Sequence, residues 1–121
     1  MILLFGEFIT AKRKALDIKL REMAEELGIS PAYLSDIEKS RRKPPDIDML
    51  EKMAEILKLS PDDKSIMMDY AGQDRKEIAP DLPDYLMDLP EARTALRKAR
   101  DKGKVGDFWN NILTKLDEEE E

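Results

Sequence analysis

An all-α fold is what this sequence predicts, and three observations predict it. Leu, Ile, Met and Ala supply most of the apolar content, whereas Val occurs once, at Val105. That usage favours helix over sheet. Apolar residues recur at three- and four-residue spacings along most of the chain, and no segment reads as a strand. Helix-start signals stand at Ser30-Pro31 and Ser60-Pro61, and Gly28 and Gly72 follow apolar runs as helix ends do. At 121 residues the chain has room for one domain, or one small domain with an appendage.

The elements follow in order. Phe5, Phe8, Ile9, Lys12 and Leu16 fall at helical spacing, so residues 4–16 read as a first helix. A second runs from about Leu20 to Leu27 and ends at Gly28. Ser30 caps a third and Pro31 fills its first position, with Leu34 and Ile37 inward. The segment KSRRKPP, residues 39–45, reads as a loop. Asp46 caps a fourth helix that turns Ile47, Leu50, Met53, Ala54 and Leu57 inward. Ser60, Pro61 and the early acids Asp62 and Asp63 open a fifth, expected to end near Ala71, before Gly72.

Beyond that point the texture changes. Pro80, Pro83 and Pro90 interrupt residues 73–90, which read as an arm with one helical turn near Tyr85. Two more helices are expected. The first carries the small stripe Ala92, Ala95, Leu96 and Ala99 and stops at Gly103. The second carries the large stripe Phe108, Trp109, Ile112, Leu113 and Leu116. The expected domains are therefore 1–72, and 73–121 with an acidic tail.

Composition excludes several functions. Cys and His are both absent, which removes disulfides, thiolate sites, zinc sites of the usual kind and the usual catalytic dyads and triads. The acidic pairs Asp46/Asp48 and Asp62/Asp63 could hold Mg²⁺ in principle, but their places at helix starts are explained by capping. An enzyme is not expected, nor a cofactor or metal. The opening MILLFGEFI lacks the basic leader and cleavage site of a signal peptide, and no run is long enough to span a membrane. The expected compartment is the cytoplasm.

Net charge is −6, but it is unevenly spread. Residues 1–60 hold 11 basic and 11 acidic side chains, and residues 61–121 hold 10 and 16. The closing LDEEEE supplies five of those acids; it reads as a solubilising end, or as a segment that competes with nucleic acid or docks a basic partner. Against this background four basic residues crowd into Lys39–Lys43.

Residues 20–38, LREMAEELGISPAYLSDIE, fit two helices joined by a sharp turn. A tight crossing needs a small residue, and Ala24 supplies it. The turn needs a residue that tolerates positive φ, and Gly28 supplies that. Met23, Leu27, Ile29, Leu34 and Ile37 occupy the inward positions. All of these agree with one helix-turn-helix register, a far more specific signal than an amphipathic helix alone.

Over about residues 5–60 the chain resembles the Xre family, the lambda-repressor-like (Cro/C1-type) helix-turn-helix regulators. EMAEELGIS, SPAYLSDIEKSRRKP and LEKMAEILKLS carry the resemblance, in order and at family spacing. It implies a five-helix DNA-binding domain and several residue roles. Arg13 and Glu38 fall where the family places an internal ion pair. The third helix corresponds to the recognition helix, with Pro31, Ala32, Ser35 and Asp36 facing base edges. Pro31 and Ala32 suit a thymine methyl, Ser35 is permissive, and Asp36 can accept from a cytosine amino group. Asp36 needs that partner, or Lys39, beside a polyanion. Tyr33 can reach a phosphate or pack on the second helix. Lys39, Arg41, Arg42 and Lys43 then hold phosphates, or in part base edges. Two positions depart from the family. Lys19-Leu20 stands where Ser or Thr and then Gln are common, and Ser40 stands where Gly is common.

Regulators of this kind resemble dimers on two-fold sites. The stripe Phe108, Trp109, Ile112, Leu113 and Leu116 can pack back on its own helices, self-associate as a homodimer or bind another protein. The expected function is a sequence-specific regulator of transcription, most simply a repressor, with double-stranded DNA as partner. The alternative is the DNA-binding antitoxin of a toxin–antitoxin pair whose C-terminal half covers a basic toxin. No membrane partner is expected.

Overall fold

The structure, a computed structural model, describes residues 4–119. Residues 1–3, and Glu120 and Glu121 of the expected acidic tail, lie outside the described residues. Every regular element among the described residues is a helix, with no strand, and the chain divides into two compact units, Met1–Pro83 and Asp84–Glu121.

In the first unit, α1 (Leu4–Ala15), α2 (Leu20–Leu27), α3 (Pro31–Glu38), α4 (Ile47–Ile56) and α5 (Pro61–Arg75) enclose one core. Phe5, Ile9, Met23, Leu34, Leu50, Met53, Met67 and Met68 are all fully buried. Each such side chain contributes roughly 1.5–3 kcal/mol by leaving water. Side-chain caps fix three helix starts: Ser30 Oγ accepts from Tyr33 N at 3.0 Å, Asp46 Oδ1 from Met49 N at 3.0 Å, and Ser60 Oγ from Asp63 N at 3.1 Å. The α2 start lacks a hydroxyl at Lys19, yet Glu22 Oε1 accepts the Lys19 N–H at 3.2 Å. Asp74 Oδ2, near the end of α5, accepts the Phe5 N–H at 3.2 Å and so serves the start of α1.

Two boundaries differ from the sequence expectation. Leu16 lies past the end of α1 and is 42% exposed, so it does not extend the inner face. The fifth helix does not stop before Gly72: it continues to Arg75, and Lys76 closes it in the left-handed region at φ 60°. Gly72 is needed for a close approach instead. A Cβ there would meet Ala79 N and Glu77 O, each at 2.8 Å, because the chain folds back over α5 and buries Ala79. The expected 72/73 boundary therefore falls inside a helix, and the start of the arm belongs to the first unit.

The second unit holds α6 (Pro83–Met87), whose first residue closes the first unit, with α7 (Pro90–Asp101) and α8 (Gly106–Glu118). Arg93 Nη1 donates to the Leu86 and Met87 carbonyls, each at 2.6 Å, and ties α7 to the end of α6. Ala99 is the one buried residue among the described residues of α7, and α8 has none. Val105, before α8, provides no side-chain cap, and neither does Leu89 before α7.

Candidate nucleic-acid interface

Position of α3 is set from both ends. At its start, Gly28 adopts φ 73° and lets the chain leave α2, with Ile29 N donating to Ala24 O at 3.0 Å. Met23, Ala24 and Leu27 on one side and Leu34 and Ile37 on the other are buried, while Ile29 is half-buried at the rim. At its end, Glu38 is clamped by Arg13 of α1. Arg13 Nε donates to Glu38 Oε2 at 2.7 Å and Nη2 to Oε1 at 3.0 Å, and Nη1 reaches the Ile18 carbonyl at 2.8 Å. The hydrogen bonds it donates to Glu38 raise the Arg13 pKa above its ordinary value, against burial, which lowers it. The guanidinium is charged at every accessible pH.

Gly6 allows this arrangement, and sequence reasoning missed it. A Cβ at Gly6 would collide with the Glu38 carbonyl oxygen and lie 2.9 Å from Ser40 Oγ. Ser40, at the departure from family pattern, takes φ 60°, and its Oγ is buried without a hydrogen-bond partner. Glycine here would relieve both costs.

The outer face of α3 presents Pro31, Ala32 and Tyr33 exposed, with Ser35 and Asp36 half-buried. The basic loop folds onto that face. Arg42 Cζ sits 4.7 Å from the centre of the Tyr33 ring. Arg41 Nη1 lies 3.7 Å from Asp36 Oδ1, and Arg42 Nε lies 4.0 Å from Asp36 Oδ2. Within the protein, then, Asp36 is paired with the loop arginines rather than Lys39. Lys39 and Lys43 have no carboxylate within 4.0 Å among the described residues. The Tyr33 ring supports a guanidinium rather than packing inward, and Tyr33 remains 40% exposed.

The fold also brings in basic residues that sequence order does not suggest. A cleft of about 520 Å³ is lined by Tyr33, Arg42, Lys43, Met49 and Arg75, the last residue of α5. A second, of about 640 Å³, places Lys14 of α1 with Ser35 and Lys39. No local sequence signal connects Arg75 or Lys14 to α3. In the second unit, Phe108, Leu113 and Leu116 are 37%, 57% and 54% exposed, and Trp109 and Ile112 are half-buried. Phe108 and Trp109 stack edge to face with centroids 5.0 Å apart.

Such a surface can do two things chemically. It offers uncompensated ammonium groups to phosphates, and directional donors and small apolar contacts to base edges. Comparison with known proteins agrees in the same region. Residues 9–64 match the helix-turn-helix family model. An uncharacterized HTH-type transcriptional regulator of Mycobacterium tuberculosis is 38% identical over 55 residues, covering 46% of this chain and 39% of that protein. The HTH-type transcriptional regulator SinR of Bacillus subtilis is 37% identical over 57 residues, covering 47% and 51%. A crystal structure of SinR, described as the master regulator for biofilm formation, in complex with DNA shares 36% identity. It covers 48% of this chain and 95% of that one, at a TM-score of 0.44. The chain spans about half or less of the length of these two curated relatives.

Proposed function

From the premise that residues 9–64 form a helix-turn-helix domain of the Xre, lambda-repressor-like family, we propose that the protein is a sequence-specific DNA-binding regulator of transcription. The observation that carries this reading is the seating of α3. Its inner face and its end are locked by buried apolar residues and the Arg13–Glu38 pair, while its first turn stands exposed beside the basic loop. A rigid helix with a free N-terminal turn is what major-groove reading requires.

In this mechanism Pro31, Ala32 and Ser35 face base edges, and Lys39 and Lys43 hold phosphates. Arg41, 66% exposed at its side chain, swings between Asp36 and a phosphate. The net charge of −6 does not oppose this, because screening limits distant charges to about 8 Å of reach at physiological salt. Repression follows most simply from occupancy of a promoter. One short readout discriminates poorly, so two copies are needed. We assign self-association to the α8 stripe of Phe108, Trp109, Ile112, Leu113 and Leu116, none of which is fully buried. Relatives described as transcriptional regulators favour this reading over the antitoxin one.

The test is selection of bound duplexes from a random pool, followed by binding to the winner at two salt concentrations. A palindromic site is expected. Replacing Lys39 and Lys43 by Ala should weaken all sequences alike and reduce the log–log salt slope by about one per phosphate contact. Absence of any enriched duplex at low salt would sink the proposal.

A further inference from the structure

Building on the proposed DNA-reading role of α3, we infer that Arg42 is a base-reading residue with guanine as its target, and that Asp36 is its positioning residue. Asp36 sits on the recognition helix and would, alone, face a polyanion with a negative charge. The structure gives it a different task. Its two oxygens lie 3.7 and 4.0 Å from Arg41 and Arg42, and the Tyr33 ring carries the Arg42 guanidinium at 4.7 Å. Tyr33 and Asp36 are three residues apart, so they form one ledge on the helix surface. Arg42 comes from the loop, yet this ledge keeps it beside the recognition helix.

Three features separate Arg42 from a phosphate holder. First, Asp36 shares its single charge between Arg41 and Arg42, so Arg42 is partly compensated, whereas Lys39 and Lys43 are uncompensated among the described residues. Compensation weakens the pull toward a distant phosphate but leaves the N–H donors intact. Second, Nε is the nitrogen nearest the carboxylate, so the two terminal amino groups remain for an outside acceptor. No hydrogen bond of Arg42 occupies them among the described residues, and the side chain is 59% exposed. Third, a planar guanidinium resting on an aromatic face loses less freedom on forming a paired contact. A planar pair of donors matches the N7 and O6 acceptors that guanine shows in the major groove.

The experiment uses the full chain and the same random duplex pool, with the wild type, Arg42→Lys and Asp36→Asn. Circular dichroism confirms that all three are folded. The wild type should require guanine at one position of each half-site. Arg42→Lys keeps the charge but not the fork. It should lower preference at that position alone by roughly 5- to 150-fold, with the salt slope and the other positions unchanged. Asp36→Asn should blunt preference at the same position, a readout that a general structural defect would not single out. If Arg42→Lys leaves the preference intact, or weakens every sequence equally, Arg42 is a phosphate contact and the inference falls while the DNA-reading function stands. If the wild type enriches no sequence, both fall together.

Discussion

In the first unit Leu50 and Met67 expose no surface, while in the second Leu113 and Leu116 keep more than half of theirs. Both regions are helical and both have clear apolar stripes. The difference lies in what meets the stripe. Helices α1 to α5 each turn an apolar face toward a shared interior, and three of their starts carry a side-chain cap. Helices α7 and α8 start at Leu89 and Val105 without one, and α8 has no fully buried residue. Most helical stability in proteins comes from packing of the amphipathic face rather than from propensity. The first unit therefore holds its helices by its own core, whereas the apolar stripe of α8 stays partly exposed.

The strongest way to break that contrast is to break the first unit where it is least able to relax. Glu38→Ala leaves Arg13 buried and without its carboxylate, which costs roughly 3–5 kcal/mol. The pair is nearly inaccessible, with side-chain exposures of 10% and 6%, so solvent cannot replace the lost partner. Urea unfolding followed by circular dichroism should show the midpoint falling accordingly. A loss below about 1 kcal/mol would mean that the pair is solvated, as an ordinary surface pair is. The same substitution should spare the amides of α8 in hydrogen exchange.

Glu38 was within reach of sequence reasoning because the family resemblance pairs it with Arg13, and α3 was legible for local reasons. Ser30, Pro31, Gly28 and the spacing of Met23, Leu27, Leu34 and Ile37 act within one or two turns of the chain. What stayed hidden depends on distant approaches. Gly6 reads as an ordinary helix residue until Glu38 and Ser40 are set against it. Gly72 reads as a helix end because only the return of Ala79 shows that it must be bare. Asp74 serves the start of α1 across 69 positions, and Arg75 reaches the basic cleft from the end of α5. The pairing of Asp36 was nearer in sequence, yet loop conformation decides between Lys39 and the two arginines, and Ser40 in the left-handed region sets that conformation.

A matched pair of truncations sharpens the contrast at intermediate size. Leu50→Ala removes a fully buried side chain and should cost roughly 2–5 kcal/mol. Leu113→Ala removes one that is 57% exposed and should change the unfolding of the first unit by no more than about 0.5 kcal/mol. Under the proposed self-association through α8, its effect belongs to assembly. Sedimentation equilibrium should show weaker self-association for Leu113→Ala combined with Leu116→Ala, at unchanged fold of the first unit. Equal loss of stability from Leu50→Ala and Leu113→Ala would mean that α8 is covered in the free protein, and the contrast drawn above would go.

The smallest effect concerns the bare helix starts. In α3, α4 and α5 the capping oxygen accepts the amide of the third helical residue, at 3.0 to 3.1 Å. The corresponding amide in α8 is that of Phe108, which reaches only the Val105 carbonyl at 3.0 Å. Val105 is extended, at φ −138° and ψ −169°, and 75% exposed, so replacing it removes little packing. Val105→Ser supplies the missing acceptor and should stabilise α8 by about 0.5–1 kcal/mol. The full chain should then show slower hydrogen exchange at Asp107 and Phe108 by roughly two- to fivefold, with the core amides of α4 unchanged. Unchanged exchange at those two amides would mean that the absent cap does not limit α8, and that burial alone separates the two units.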